Sequence, residues 1–276
     1  NHDMKTEFVD INVGAIILAP GFKPFSPAGV DYYGYDTIPD VVTSLEYERM
    51  LAASGPTMGH LKKESDGREP NKVAWIQCVG SRNTNCADNG YCSSVCCMYA
   101  IKQAVMTQSH LPAGKSDQTI FYMDIRTPGK EYERYYDNSR ERGVKYIKAR
   151  PHTLLKGPDG AGVTMVWADD KGKNHEEFFD MVVLSIGLQA PEDAMVLAEK
   201  CHFELDRFNF AKTNSFDPVD TSRKGIFVTG SFQGPKAIPQ SVAMASTAAA
   251  QVKSVLAEAQ GTLAIEKNFV EEFDIS

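Results

Sequence analysis

The sequence has no apolar run approaching the roughly 20 residues a membrane-crossing helix needs, and no secretory leader opens it. Histidine is scarce: His2, His60, His110, His152, His175 and His202 are the whole complement, and no pair has metal-ligand spacing. No nucleophile–base arrangement stands out either, since neither Ser81 nor Ser185 has a histidine near it in sequence. Basic residues are outnumbered, 29 Lys and Arg against 36 Asp and Glu, and the net charge of −7 speaks against nucleic acid as the main partner. Internal repeats and low-complexity blocks are missing. What remains is the composition of an ordinary soluble globular chain of 276 residues, 42% hydrophobic and 24% charged, long enough for two domains.

Cysteine is what stands out. Five of the six, Cys78, Cys86, Cys92, Cys96 and Cys97, fall within twenty residues, and Cys201 stands apart. Without a leader such a cluster reads as metal binding rather than as a disulfide framework. Cys78, Cys92, Cys96 and Cys97 form C-x13-C-x3-C-C. Four residues apart at a helix start, Cys92 and Cys96 are expected on one face, with Cys97 about 100° further round the axis. Cys78 would return from the end of the preceding strand. Four thiolates at a strand–loop–helix junction match the ligand count of an iron–sulfur cube or of a structural zinc. Buried apolar cysteines are the third reading, supported by the neighbouring Met98, Tyr99 and Ile101.

Around this cluster the punctuation is that of an α/β protein. Val13 to Leu18 reads as a fully buried strand ending in a turn, and Val41 to Ser54 as a helix stopped by Gly55-Pro56. Val73 to Gln77 and Thr119 to Ile125 read as strands, with helices over Ser94–Gln108 and Glu131–Arg142 after them. Lys145–Ala149, Val163–Ala168 and Glu176–Phe179 read as a β-meander. Met181–Ile186 and Gly225–Thr229 follow as strands, and Pro239–Leu256 as the closing helix.

This order resembles the second half of a thioredoxin reductase-class flavoprotein, an α/β fold in which a Rossmann-like domain is inserted into a discontinuous FAD domain. The resemblance implies residues 1–70 as an FAD-domain segment and connection, 71–187 as the inserted domain carrying the cysteines, and 188–276 as the FAD-domain return segment. Such a protein opens with a strand running into G-x-G-x-x-G for the FAD pyrophosphate, and nothing before Val13 supplies it. A second such loop, for a nicotinamide nucleotide, is expected after Val73–Gln77. Cys78-Val79-Gly80-Ser81-Arg82 stands in its place, and Gly80 alone cannot build the cradle. The inserted domain is therefore expected to be Rossmann-like without binding nicotinamide.

The segments DVVTSLEYERMLAASGPTMGHL, IQCVGSR, YCSSVCCMYAIKQA, IFYMDIRTPGKEYERYY and GPKAIPQSVAMASTAAA make the resemblance specific. They are similar to the HdrA-like iron–sulfur flavoproteins of heterodisulfide reductase and their relatives, including flavoprotein subunits of quinone-interacting membrane-bound oxidoreductase complexes. The resemblance implies a 4Fe–4S cluster on Cys78, Cys92, Cys96 and Cys97 close to FAD, with no obvious counterpart for Cys86. It implies that Lys102 lies near the flavin N5, where a cation stabilises reduced flavin. For FAD it points to Gly21, to Gly230 and Ser231 after the last strand, and to Gly234, Pro235, Lys236, Ile238, Pro239 and Ser241 leading into the closing helix. Ser231 replaces the aspartate with which many members bind the ribityl hydroxyls.

The function so implied is electron transfer between FAD and iron–sulfur clusters within a cytoplasmic complex, in some members by flavin-based bifurcation. Other subunits of a heterodisulfide reductase or quinone oxidoreductase complex are the expected partners, with ferredoxin among them, no nucleic acid and no direct membrane span. A non-catalytic zinc-bearing assembly module is the alternative from another class. A pyridine-nucleotide disulfide oxidoreductase would need a cysteine redox pair, spaced C-x-x-C or C-x4-C, together with a nicotinamide loop. It is set aside for want of that loop.

Overall fold

The computed structural model describes residues 4–85, 87–111 and 116–257, so Cys86 lies outside the described residues. In chain order the strands are β1 (Ile16–Leu18), β2 (Lys23–Pro24), β3 (Val41–Thr43), β4 (Lys72–Val79), β5 (Asp117–Tyr122), β6 (Lys145–Lys148), β7 (Thr153–Lys156), β8 (Val163–Ala168), β9 (Asn174–Phe179), β10 (Met181–Ile186), β11 (Leu188–Gln189) and β12 (Ile226–Val228). The α-helices are α1 (Ser44–Leu51), α2 (Cys96–His110), α3 (Tyr132–Glu141), α4 (Ala194–Cys201) and α5 (Ile238–Val255).

The chain divides into two compact units. The larger spans Phe22–Pro191 with Pro235–Ala237; the smaller comprises the chain up to Gly21, Glu192–Gly234 and the chain from Ile238 onward. Residues 22–70 thus group with 71–187, because β3 hydrogen-bonds β10 directly.

The larger unit is built on a five-stranded parallel sheet in the order β3-β10-β4-β5-β6. Its centre is β4, which reads KVAWIQCV and is buried from Val73 onward because both faces are covered. On one face Ala74, Ile76, Leu184 and Ile186 pack with Phe121 and Phe179. On the other Trp75 and Val183 pack with Ala100, Ile101 and Ala104 of α2. All five strands run in one direction, so their carboxyl ends share an edge, where open α/β sheets place their ligands.

Three expectations change here. Val41–Thr43 is a strand rather than the first turn of a helix. Thr43 and Glu46 form a capping box: the Thr43 hydroxyl accepts from the Glu46 amide while the Glu46 carboxylate accepts from the Thr43 amide, so α1 starts at Ser44. Lys145–Lys148 is the parallel edge strand β6, not part of the meander. The antiparallel meander is β7-β8-β9, which begins after Pro151 interrupts the chain.

In the smaller unit β1 pairs in parallel with β12, Ile16 to Ile226 through Leu18 to Val228. Phe227 packs with Val219 and Ala248 of α5. The expected full burial of the Val13–Leu18 run is not observed: Ile16 is 37% and Ile17 43% exposed. Among the described residues the sheet has only these two strands, which leaves β1 covered on one side. No helix among the described residues is long and apolar enough to cross a membrane.

Candidate metal centre and flavin-facing loops

The cysteine loop leaves the carboxyl end of β4, beside the end of β10, and returns into α2 before the chain enters β5. Sharp local geometry makes this junction. Cys78 (φ 61°), Arg82 (φ 51°), Asp88 (φ 48°) and Ser94 (φ 61°) all hold left-handed backbone conformations, each costing on the order of 1 kcal/mol for a residue with a side chain. Gly80 is required as glycine: a Cβ there would fall 2.0 Å from Cγ of Phe25. Gly187 is equally constrained, since a Cβ would meet Ser93 Oγ at 2.6 Å and Ser81 Cβ at 3.1 Å. The two strand ends and the cysteine loop therefore approach closely.

Three of the four expected ligands come together. Cys78, Cys96 and Cys97 are 3%, 1% and 5% exposed. The Cys78 and Cys97 thiols, which the Cys96 S–H can serve in turn, hold the Cys96 pKa well above that of a free thiol, with burial adding to the effect. Cys78 is lowered to about 7, chiefly by Cys96, with burial opposing it and the Arg82 guanidinium assisting. Cys97 is lowered by Cys96 and, against burial, by the Arg126 amide, whose N–H points to the sulfur at 3.5 Å.

Cys92 does not share a helical face with Cys96, as the four-residue spacing had suggested. The helix starts only at Cys96, and the left-handed Ser94 separates the two. Half-buried in the loop, the Cys92 sulfur accepts from the Ser94 amide at 3.4 Å and interacts with the Arg126 side chain. Cys92 and Cys97 do stand in C-x4-C spacing, that of a redox pair, but Cys97 bonds Cys96 and both are free thiols. Among the described residues no three His, Cys, Asp or Glu side chains are gathered tightly enough to enclose a metal ion.

The surroundings nevertheless fit an anionic, sulfur-rich group. Among the described residues no side chain caps the amino terminus of α2, whose first turn carries Cys96 and Cys97. By strand alternation Gln77 and Ser185 face the α2 side, like Trp75 and Val183. Among the described residues both polar atoms of Gln77, the Ser185 hydroxyl and the Ser81 hydroxyl are buried without a hydrogen-bond partner. Orphaned polar atoms of this kind are rare in native interiors. The sulfurs of a bound cluster are acceptors that could satisfy the donors among them, Gln77 Nε2 and the two hydroxyls.

Lys102 lies in α2, exposed, and its ammonium pairs with Glu48 of α1. Glu48 also accepts from Gln103 at 3.1 Å.

The residues expected around a flavin divide between the units. In the smaller one Gly21 (φ 82°) and Gly230 (φ 67°) follow the adjacent carboxyl ends of β1 and β12. Gly230 approaches the first turn of α5, where a Cβ would lie 3.9 Å from Ser241 Oγ. Ser231 lies in the short 3-10 turn Gly230–Phe232, and Gly234 follows it. Ile238 and Pro239 open α5 and are exposed. Pro235 and Lys236 group with the larger unit, and burial lowers the Lys236 pKa. No turn of the chain has the three-glycine spacing suited to the FAD pyrophosphate.

Sequence reasoning passed over Arg82, Asp124 and Arg126, although they stand inside the CVGSR and MDIRTP segments. Spacing could not have found them, because Arg82 and Asp124 meet across 42 residues.

Known proteins similar to this chain point one way. It is 41% identical over 269 residues to the second A-type iron–sulfur subunit of CoB–CoM heterodisulfide reductase in Methanopyrus kandleri, covering 96% of this chain and 40% of that protein. It is 42% identical over 256 residues to the A-type subunit of the H2:CoB–CoM heterodisulfide,ferredoxin reductase of Methanothermobacter marburgensis, covering 91% and 38%. The chain thus spans about two fifths of the length of these relatives. No protein-family model matches. Among solved structures, thioredoxin reductase of Lactococcus lactis aligns with a TM-score of 0.54 at 15% identity over 88% of this chain and 66% of that one. An HOCl-induced flavoprotein disulfide reductase of Escherichia coli aligns with a TM-score of 0.52 at 14% identity over 88% and 44%. The fold is thus thioredoxin reductase-like.

Proposed function

We propose, from the premise that this chain belongs as a segment to the HdrA-like family of heterodisulfide reductase subunits, that it holds a 4Fe–4S cluster on Cys78, Cys92, Cys96 and Cys97 and the ring end of FAD. The observation that carries the reading is the meeting of three buried thiols, unpartnered polar side chains and an uncapped helix start at one end of a parallel sheet. When bound, such a cluster supplies one-electron and the flavin two-electron transfer. The chain's own contribution is to bury the thiols, aim amides and guanidiniums at them, and keep water from the sheet edge. In the smaller unit Gly21, Gly230, Ser231, Gly234, Ile238, Pro239 and Ser241 are assigned to the flavin ring. The pyrophosphate is assigned to parts of the whole protein outside this chain.

The partners follow from the same premise. One relative's name includes both a heterodisulfide and ferredoxin, so the proposed exchange is with a low-potential iron–sulfur carrier and with companion subunits of a heterodisulfide reductase-type complex. Flavin-based bifurcation belongs to the same proposal.

Anaerobically prepared or reconstituted chain is expected to bind about four irons with matching acid-labile sulfide and to show broad visible absorbance. Stoichiometric zinc without that absorbance would instead establish the assembly-module reading.

Lys102 is proposed to face the flavin N5 from α2. Its half-exposed pairing with Glu48 screens its charge, so the expected effect is modest. Lys102→Ala in the full-length protein should lower the flavin two-electron potential by about 20 mV, equivalent to roughly 1 kcal/mol. An unchanged potential, with FAD and iron content intact, would leave Lys102 as no more than the partner of Glu48.

A further inference from the structure

The loop after β5 touches the cysteine centre in two ways at once. Through its backbone, the Asp124 carbonyl accepts from the Cys97 thiol at 4.0 Å, and the Arg126 amide donates to the same sulfur at 3.5 Å. Through its side chains, the Asp124 carboxylate binds two guanidiniums. Oδ1 accepts from Arg82 Nη1 and, at 3.2 Å, from Arg126 Nε, while Oδ2 accepts from Arg126 Nη2 at 3.3 Å. Arg82 reaches the carboxylate from a left-handed position in the cysteine loop and is only 23% exposed. Its other neighbour is the Cys78 sulfur, and that of Arg126 is the Cys92 sulfur. A surface ion network would be worth little. Asp124 and Arg126 are each 45% exposed, so their mutual bonds alone count for little; what sets this network apart is that Arg82 also interacts with Cys78 and Arg126 with Cys92, arginine's fork serving a carboxylate and a sulfur together.

We infer that Asp124 is a positioning residue that holds Arg82 and Arg126 as a cationic pair against Cys78 and Cys92, and that this pair sets the reduction potential of the cluster bound on the four cysteines. The inference rests on the iron–sulfur reading above. One added electron makes the cluster centre more negative by one charge, so a fixed cation favours the reduced form and its removal favours the oxidised one.

The test is a potentiometric titration with dithionite, followed by electron paramagnetic resonance, on the full chain reconstituted anaerobically with iron and sulfide. Iron content is measured first, because a parent chain that binds no iron refutes the function reading rather than this one. Arg82→Gln is expected to shift the one-electron equilibrium about tenfold toward the oxidised form, a lowering of about 59 mV, and Arg126→Gln to shift it in the same direction. Arg82→Lys, which keeps the charge, should recover at least half of the loss. Asp124→Asn discriminates most sharply: removing an anion alone raises the potential, whereas releasing both arginines lowers it, and lowering is expected. Iron-loaded Arg82→Gln and Arg126→Gln at the parent potential would overturn the inference. A raised or unchanged potential in Asp124→Asn would remove the positioning role. If neither glutamine variant takes up iron, Arg82→Lys and Arg126→Lys decide, with loading supporting charge compensation and failure to load refuting it.

Discussion

Cys96→Ser is expected to cost the anaerobically reconstituted chain most of its roughly four irons. Cys96 is the first residue of α2 and is 1% exposed. It interacts with two other thiols, Cys78 and Cys97, so its loss breaks the ligand set at its middle. Serine preserves size and hydrogen bonding but not the soft thiolate that iron–sulfur ligation requires. Cys201→Ser is the control, since Cys201 ends α4 in the other compact unit. Iron, sulfide and visible absorbance are measured on both variants. Parent-level iron in Cys96→Ser would remove this cysteine from the ligand set, and equal loss in both would point to a general folding defect.

Trp75→Ala should destabilise the larger unit by about 3–5 kcal/mol, a large fraction of an ordinary domain's stability. The side chain is fully buried at the centre of β4. Its indole N–H donates to Gln103 Oε1 at 3.1 Å, and its ring meets Tyr47 edge-on at 5.6 Å. Gln103 in turn donates to the Ser44 carbonyl at 2.8 Å, so one indole ties strand, α2 and the start of α1 together. Alanine would leave a cavity and an unsatisfied amide oxygen at once. Trp75→Phe refills most of the volume but not the hydrogen bond, and should fall between parent and Trp75→Ala. Urea unfolding followed by circular dichroism measures the series, and a loss below about 1 kcal/mol in Trp75→Ala would show that the core collapses around the gap.

Much of the architecture was legible before any coordinates. Val73–Gln77 and Met181–Ile186 are apolar runs too short for buried helices and too continuous for half-exposed strands, so burial on both faces followed. The helix carrying Cys96, Cys97 and Lys102 was legible from its run of helix formers, and misplaced by two residues at each end. The failures came where a residue's fate depends on a distant partner. Val41–Thr43 is β-branched and followed by helical spacing, and its strand state is decided by pairing with β10, some 140 residues away in sequence. Ile16 and Ile17 carry the pattern of a core strand yet stay partly exposed, because burial needs a covering layer that no local pattern supplies.

The sequence by itself determined the α/β order, the four-cysteine spacing, the lack of a second glycine-rich turn, and the family to which these motifs belong. These are properties of residue type and short-range spacing. Tertiary structure alone decided that Cys92 leaves the helical face of Cys96, that Gln77, Ser81 and Ser185 are buried without a partner among the described residues, and that Asp124 gathers Arg82 and Arg126. Such meetings arise because parallel strands bring their carboxyl ends to one edge, and loops tens of residues apart then share one space. Periodicity carries no information about which loops those will be.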